Sequence, residues 1–168
     1  DIPMPNYHKP WYRYSHDPKV VFDALQELID NPGTLVAYDT ETTGLKPWLG
    51  DKITIMMFRW VDKAGNPKSI GFPWDFPESK LIQHLPYLQP QVFKAMCASI
   101  IVGHNLTFDM QFTAANFKLS DRELEALVDA GKYDTWHMAY THKQQRGSLG
   151  LEILAYTYAP DLAGYEED

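Results

Sequence analysis

Apolar and polar positions along the chain follow two periods, and each change of period marks an element. Asp17-Pro18 opens a segment in which Val21, Phe22, Leu25, Leu28 and Ile29 recur every three or four positions until Asn31-Pro32-Gly33 stops it. Proline in the first helical turn forfeits no hydrogen bond, so this spacing predicts an amphipathic surface helix. Residues 34–39 (TLVAYD) and 52–60 (KITIMMFRW) are β-rich runs, and Gly65-Asn66-Pro67 is a turn signal before a third run at 68–72. Together they predict a three-stranded antiparallel meander whose first strand ends at a polar cluster. Residues 78–84 and 90–98 predict helical segments broken by prolines, and the apolar run 99–103 (SIIVG) predicts a strand in the middle of a sheet.

Beyond that strand the period turns helical. Asn105 is the expected N-cap of a helix that puts Phe108, Phe112 and Ala115 on one face and Asp109 near its first turn. Further helices are predicted at 121–130, 135–142 and 148–156, with a short strand at 132–134. Residues 1–16 hold Tyr7, Trp11, Tyr12 and Tyr14 among prolines and basic residues with neither period, which predicts an extended aromatic arm lying on some surface. The resulting fold class is α/β, a mixed five-stranded sheet of three antiparallel strands plus parallel strands, flanked by helices. The expected domain runs from 17 to 168.

Composition narrows the function classes. A formal charge of −7 argues against a broad basic face that grips duplex DNA, whose affinity comes from neutralising phosphates. Nucleic acid, if bound, must be held locally. No run of about 18 apolar residues spans a membrane, and the first residues lack the basic and apolar regions of a signal peptide, so no membrane partner and a cytoplasmic location are expected. The single cysteine, Cys97, forms no internal disulfide, has no CxxC spacing for zinc, and reads as an inert core thiol.

Two acidic constellations carry candidate chemistry. Asp39-Thr40-Glu41-Thr42-Thr43-Gly44-Leu45 follows an apolar strand, and alternation in an extended chain projects Asp39 and Glu41 from one face. Two carboxylates that close are unfavourable unless a cation lies between them, and oxygen-only donors are what hard divalent cations prefer. Taken alone, a strand end of this kind is also a simple polar turn. Gly103-His104-Asn105-Leu106-Thr107-Phe108-Asp109 follows the second apolar strand, so Asp109 is expected to converge on the same pocket. Asn105 reads as a cap or a substrate contact, and His104 as a substrate-facing group or a structural imidazole.

These two motifs, DTETTGL and GHNLTFD, resemble the first and second motifs of the DEDD exonuclease superfamily, which has an RNase H-like fold. Residues 133–140 (YDTWHMAY) and 147–155 (GSLGLEILA) resemble the Asp-Thr and Ser-Leu helices in proofreading domains of family-A DNA polymerases, phage and bacterial polymerase I-like enzymes included. The resemblance covers residues 34–158. It implies Asp39, Glu41 and Asp109 as catalytic residues and ligands of two divalent cations, Mg2+ or Mn2+, with Asp39 bridging both. It further implies a single-stranded DNA 3′ end as substrate, release of nucleoside 5′-monophosphates, and a polymerase domain in the same parent chain. Thr42, Gly44, Leu45, His104, Asn105 and Phe108 stand where that family places the terminal nucleotide, with Leu45 against the last base. A turn with one buried leucine accounts for the Thr42–Leu45 stretch equally well.

The family's third motif, Tyr-x-x-x-Asp or His-x-x-x-x-Asp, has no match. Tyr158 precedes Asp161, and Tyr165 precedes Asp168, by three positions only. A chain cut before its last motif is therefore expected, with metal affinity and turnover impaired if the fourth carboxylate is missing. Asp134 is a local substitute or a helix cap. A free-standing nuclease acting on RNA or short oligonucleotides, and a catalytically dead structural module, share the same residues. Trp48, Trp60 and Trp74 are candidates for stacking unpaired bases, with two of the three expected in the core. The stretch Lys143-Gln144-Gln145-Arg146 is a phosphate contact or a solvated loop.

Overall fold

In the computed structural model, residues 13–143 and 150–159 are described. The helix expected after Asp17 is α1 (Pro18–Asp30), with the Asp17 side chain accepting from the Lys19 N–H and Val21, Ala24, Leu25 and Leu28 buried. Strands β1 (Leu35–Thr42), β2 (Ile53–Val61) and β3 (Pro67–Pro73) form the antiparallel meander. After α2 (Leu85–Ala98), β4 (Ile100–Gly103) returns parallel to β1, and β5 (Lys132–Asp134) lies parallel to β4. The sheet order is β3-β2-β1-β4-β5. Helices α3 (Leu106–Phe117) and α4 (Asp121–Asp129) separate β4 from β5, and α5 (Thr135–Lys143) and α6 (Leu151–Tyr158) follow. No described helix is long and apolar enough to cross a membrane.

One face of the sheet makes the core. Val36 and Tyr38 of β1, Met56, Phe58 and Trp60 of β2, and Ile70 and Phe72 of β3 are buried with Leu25, Leu28, Leu88, Val92, Met96, Phe112 and Leu127 from the first four helices. Rings continue from Tyr38 to Phe58 (4.9 Å), Phe72 (6.0 Å), Trp74 (6.0 Å) and Phe117 (5.5 Å), adding aromatic contacts to simple burial. The alternate residues of β1, namely Leu35, Ala37, Asp39 and Glu41, remain exposed. Cys97 packs half-buried against the core, and burial raises its thiol pKa, in keeping with an unreactive sulfur.

Three expectations need correction. The helical segment broken at Pro90 is one continuous helix, α2: Pro90 lies on its exposed side, where the unpaired carbonyl reaches water, while Leu88, Val92, Ala95 and Met96 bury the other side. Residues 78–84 are not a helix but turns and a short 3-10 segment, Ile82–His84. β1 does not stop at Asp39; pairing continues to Thr42, with Asp39 opposite Met57 and Glu41 opposite Ile55, because β2 supplies partners for the polar half.

Residues 1–12, the stretch 144–146 and the pairs ending in Asp161 and Asp168 lie outside the described residues. The described end of the arm lies along β3: the Ser15 N–H donates to the Gly71 carbonyl (2.9 Å) and the Gly71 N–H to the Arg13 carbonyl (2.8 Å).

Gly103 brings β4 against β1. A Cβ there would lie 2.8 Å from Leu106 Cδ1 and 3.1 Å from the Tyr38 carbonyl oxygen, so a side chain would force β4 and α3 away from β1. Gly103→Ala is therefore expected to cost about 1–3 kcal/mol, the range for overpacking a filled interior, read as a lowered denaturant midpoint.

Candidate metal centre

The parallel pairing of β1 with β4 covers only Leu35 to Ala37, so beyond that point this edge of β1 lacks a neighbouring strand. Asp109, in the first turn of α3, fills the gap. Its Oδ1 accepts from the Thr40 backbone N–H (3.0 Å) and from the Thr40 hydroxyl (2.6 Å), and the residue is 3% exposed. A second tie reinforces the first. The Thr113 hydroxyl donates to the Asp109 carbonyl (2.8 Å), which leaves its oxygen to accept from the buried Tyr38 phenol (2.8 Å). The third acid is thus latched onto the residue between the other two, while Asp39 and Glu41 share the exposed face of the strand.

Electrostatics agree with that placement. Burial, reinforced by the charge of Asp39 and opposed by the Thr40 hydrogen bonds, pushes the Asp109 carboxyl up to about 6. Partial loss of solvent around its carboxyl also raises Asp39, while the Thr40 N–H and the imidazole of His104 pull it back down. Thr40→Val would keep the backbone donor and delete the hydroxyl. The expected cost is about 1.5–3 kcal/mol at neutral pH, the scale for a hydrogen bond to a charged group, measured by equilibrium unfolding.

Among the described residues no three His, Cys, Asp or Glu side chains are gathered closely enough to hold a metal ion. The donor chemistry nevertheless fits a hard divalent cation. Two carboxylates are electrostatically coupled, a third shares the exposed strand face, and every donor is oxygen. Like charges in such a nest separate until a cation neutralises them.

The other candidates have distinct settings. His104 Nδ1 lies 3.0 Å from the Thr135 hydroxyl, whose own proton goes to the Gly103 carbonyl (3.1 Å), so the ring N–H is the donor and Nε2 is left for another partner. Asn105 does not cap α3 with its side chain. It adopts a left-handed conformation (φ 55°), which asparagine tolerates better than most residues, and its backbone N–H donates to Asp134 Oδ1 (3.0 Å). Asp134 Oδ1 also accepts from the Trp136 N–H (2.9 Å), so this carboxylate caps α5 and ties it to the turn that launches α3. Phe108 is half-buried with its ring 4.8 Å from Phe112.

In the segment after β1, the Thr42 hydroxyl closes on the Gly44 carbonyl (2.8 Å). A Cβ at Gly44 would come within 2.4 Å of the Asp51 carboxylate, which accepts from the Lys46 N–H (2.8 Å). The reading of this segment as a turn with a buried leucine fails, since Leu45 is 75% exposed on the outside of the turn. Trp60 and Trp74 are core residues and Trp48 is not.

No motif of the sequence singles out Thr40. The available signal was the alternation of β1, which turns a polar Thr40 toward an otherwise apolar interior and so demands a partner there. A cavity of about 680 Å3, lined by Leu35, Ala37, Arg59, Trp60 and Val102 among others, lies at the other end of β1 and includes none of Asp39, Glu41 and Asp109.

No protein-family model and no curated protein matches the chain. Solved structures do. The apo form of a nuclease superposes with a TM-score of 0.50 at 14% identity, covering 79% of this chain and 55% of its own. E. coli Exonuclease I in complex with a dT13 oligonucleotide gives 0.49 at 16%, over 68% of this chain and 30% of its own. The EXO domain of Aedes aegypti Nibbler gives 0.45 at 9%, over 80% and 57%. The chain therefore spans about half of the first protein and under a third of the second. At such identities the likeness is one of fold, and the mixed five-stranded sheet with its flanking helices is the RNase H-like arrangement. This chain shares the fold of a structurally characterised nuclease.

Proposed function

We propose that the chain is a metal-dependent 3′→5′ exonuclease domain of the DEDD type, acting on a single-stranded DNA 3′ end as the proofreading part of a DNA polymerase. One observation carries the reading: Asp109 is bonded to Thr40, the residue between Asp39 and Glu41, so residues 69 positions apart in the sequence join at the strand that carries the other two acids.

In this reading Asp39, Glu41 and Asp109 hold divalent cations, which supply activation of water and neutralise charge at the scissile phosphate. The protein's own contribution is placement. Thr40 and Tyr38 fix Asp109, β1 and β2 fix Asp39 and Glu41, and His104 lies near enough to Asp39 to favour its charged form. The exposed Leu45 stands one turn past the acids, where it meets the terminal base.

The test uses the protein in its full parent chain with a 5′-labelled single-stranded oligonucleotide. Nucleotide-by-nucleotide shortening from the 3′ end in Mg2+ or Mn2+, stopped by a chelator, supports the reading, whereas endonucleolytic products or no cleavage refute it. A second reading, a nuclease fold kept as a non-catalytic module, draws on the absence of three gathered ligands among the described residues. Calorimetric titration with Mn2+ separates the two, because the module takes up no cation.

A further inference from the structure

We propose that Trp48 is a stacking platform for an unpaired base of the bound strand, a few nucleotides upstream of the 3′ end. The inference rests on the nuclease reading above. Its basis is a loop that exposes large apolar side chains without being loose.

Between β1 and β2 the chain presents Leu45, Trp48 and Leu49 at 75%, 66% and 72% exposure. Exposed apolar side chains grouped in this way mark contact surfaces. The backbone beneath them is held at nearly every step. The Thr43 N–H donates to the Lys52 carbonyl and the Lys52 N–H to the Thr43 hydroxyl, both at 2.9 Å. Lys46 donates to Asp51 Oδ2, and Leu49 and Gly50 donate back to Lys46 and Pro47 across a 3-10 turn. Gly50 closes that turn at φ 98°, a conformation most other residues adopt only with strain. Pro47 is buried beneath it, so the indole is displayed by a fixed support.

The support is the same helix that carries Asp109. Asn116, at the far end of α3, donates to the Asp51 carbonyl (3.1 Å) and accepts from the Ile53 N–H (2.8 Å). Asn116 follows Asp109 by seven helical steps, about 10 Å along the axis, so the anchor of the platform and the acid are carried by one rigid element. An unpaired base suits this surface better than a protein side chain would. The patch is continuous with the acidic strand and Lys46 brings a positive charge to it in an acidic chain. A rigid indole also gains stacking energy from any base, without selecting sequence.

The experiment compares wild type, Trp48→Ala and Trp48→Phe in the full parent chain. The two substrates are an oligothymidylate and the p-nitrophenyl ester of thymidine 5′-monophosphate, which has no upstream base. Trp48→Ala is expected to raise KM for the oligothymidylate about tenfold more than KM for the ester, with kcat for both moving together. Trp48→Phe should restore KM to within about threefold, since phenylalanine also stacks, while diminishing the oligothymidylate-induced quenching of tryptophan emission. Equal KM changes on the two substrates, or quenching undiminished in Trp48→Phe, overturn the platform and leave the nuclease reading intact. Failure of wild type to bind or cleave either substrate in Mn2+ overturns both.

Discussion

Asp39→Ala is expected to lower the rate of 3′-end hydrolysis by roughly a thousandfold or more, the scale seen when one preorganised charge-stabilising group is removed from a reaction site. The loss should appear in kcat rather than KM, because the proposed role places the residue at the reacting phosphate and not on the upstream strand. Its fold should survive. Asp39 projects from the exposed face of β1, none of the core depends on it, and its removal relieves a charge that raises Asp109. Single-turnover cleavage of a labelled oligonucleotide, with circular dichroism as the control for folding, checks both statements. A fall of less than tenfold in kcat would sink the assignment of Asp39.

The second large effect concerns pH. Burial and the neighbouring Asp39 raise the Asp109 carboxyl from 3.8 to about 6 in the folded chain, so folding disfavours its ionised form. A group raised in this direction contributes its stability fully below the unfolded value near 4 and loses it as pH climbs through about 6. Asp39 is raised as well and acts in the same sense. The metal-free protein should therefore gain stability as pH falls from about 7 to about 5. For Asp109 alone, a shift of about two units corresponds to at most about 3 kcal/mol. Asp109→Asn, a neutral isostere, should flatten that slope and raise the metal-free Tm at neutral pH, while Mn2+ should stabilise wild type and not the variant. Calorimetry across this pH range in chelator, then in Mn2+, reads all three.

Much of this arrangement was legible in the sequence because its signals are local. Helix α1 announces itself by Asp17-Pro18 and its apolar stripe, and the three meander strands by alternation and a turn at Gly65. Two motifs placed after apolar runs pointed to acids meeting in space. What escaped the reading depended on tertiary partners. Pro90 predicts a break, yet burial of Leu88 and Val92 on the opposite side outweighs one lost hydrogen bond. The polar residues after Asp39 predict a strand end there, although β2 offers them a ladder. The side chain of Asn105 was assigned a capping role on propensity, whereas the backbone geometry of the turn gives its N–H to Asp134, a residue 29 positions away. Thr40 carries no motif of its own, and only the position of α3 reveals it as the seat of Asp109.

The margins of the sheet have a consequence for how the molecule keeps to itself. On one side β5 is only three residues long, which gives a stray strand little to zip onto. On the other, β3 begins and ends with proline, and Arg13 to Ser15 occupy the Gly71 donor and acceptor between them. Open borders are where β-proteins polymerise, and both borders here are blunted. Trimming the chain to begin at Asp17 would bare the Gly71 rung, so such a piece should self-associate in a concentration-dependent way that the longer chain resists.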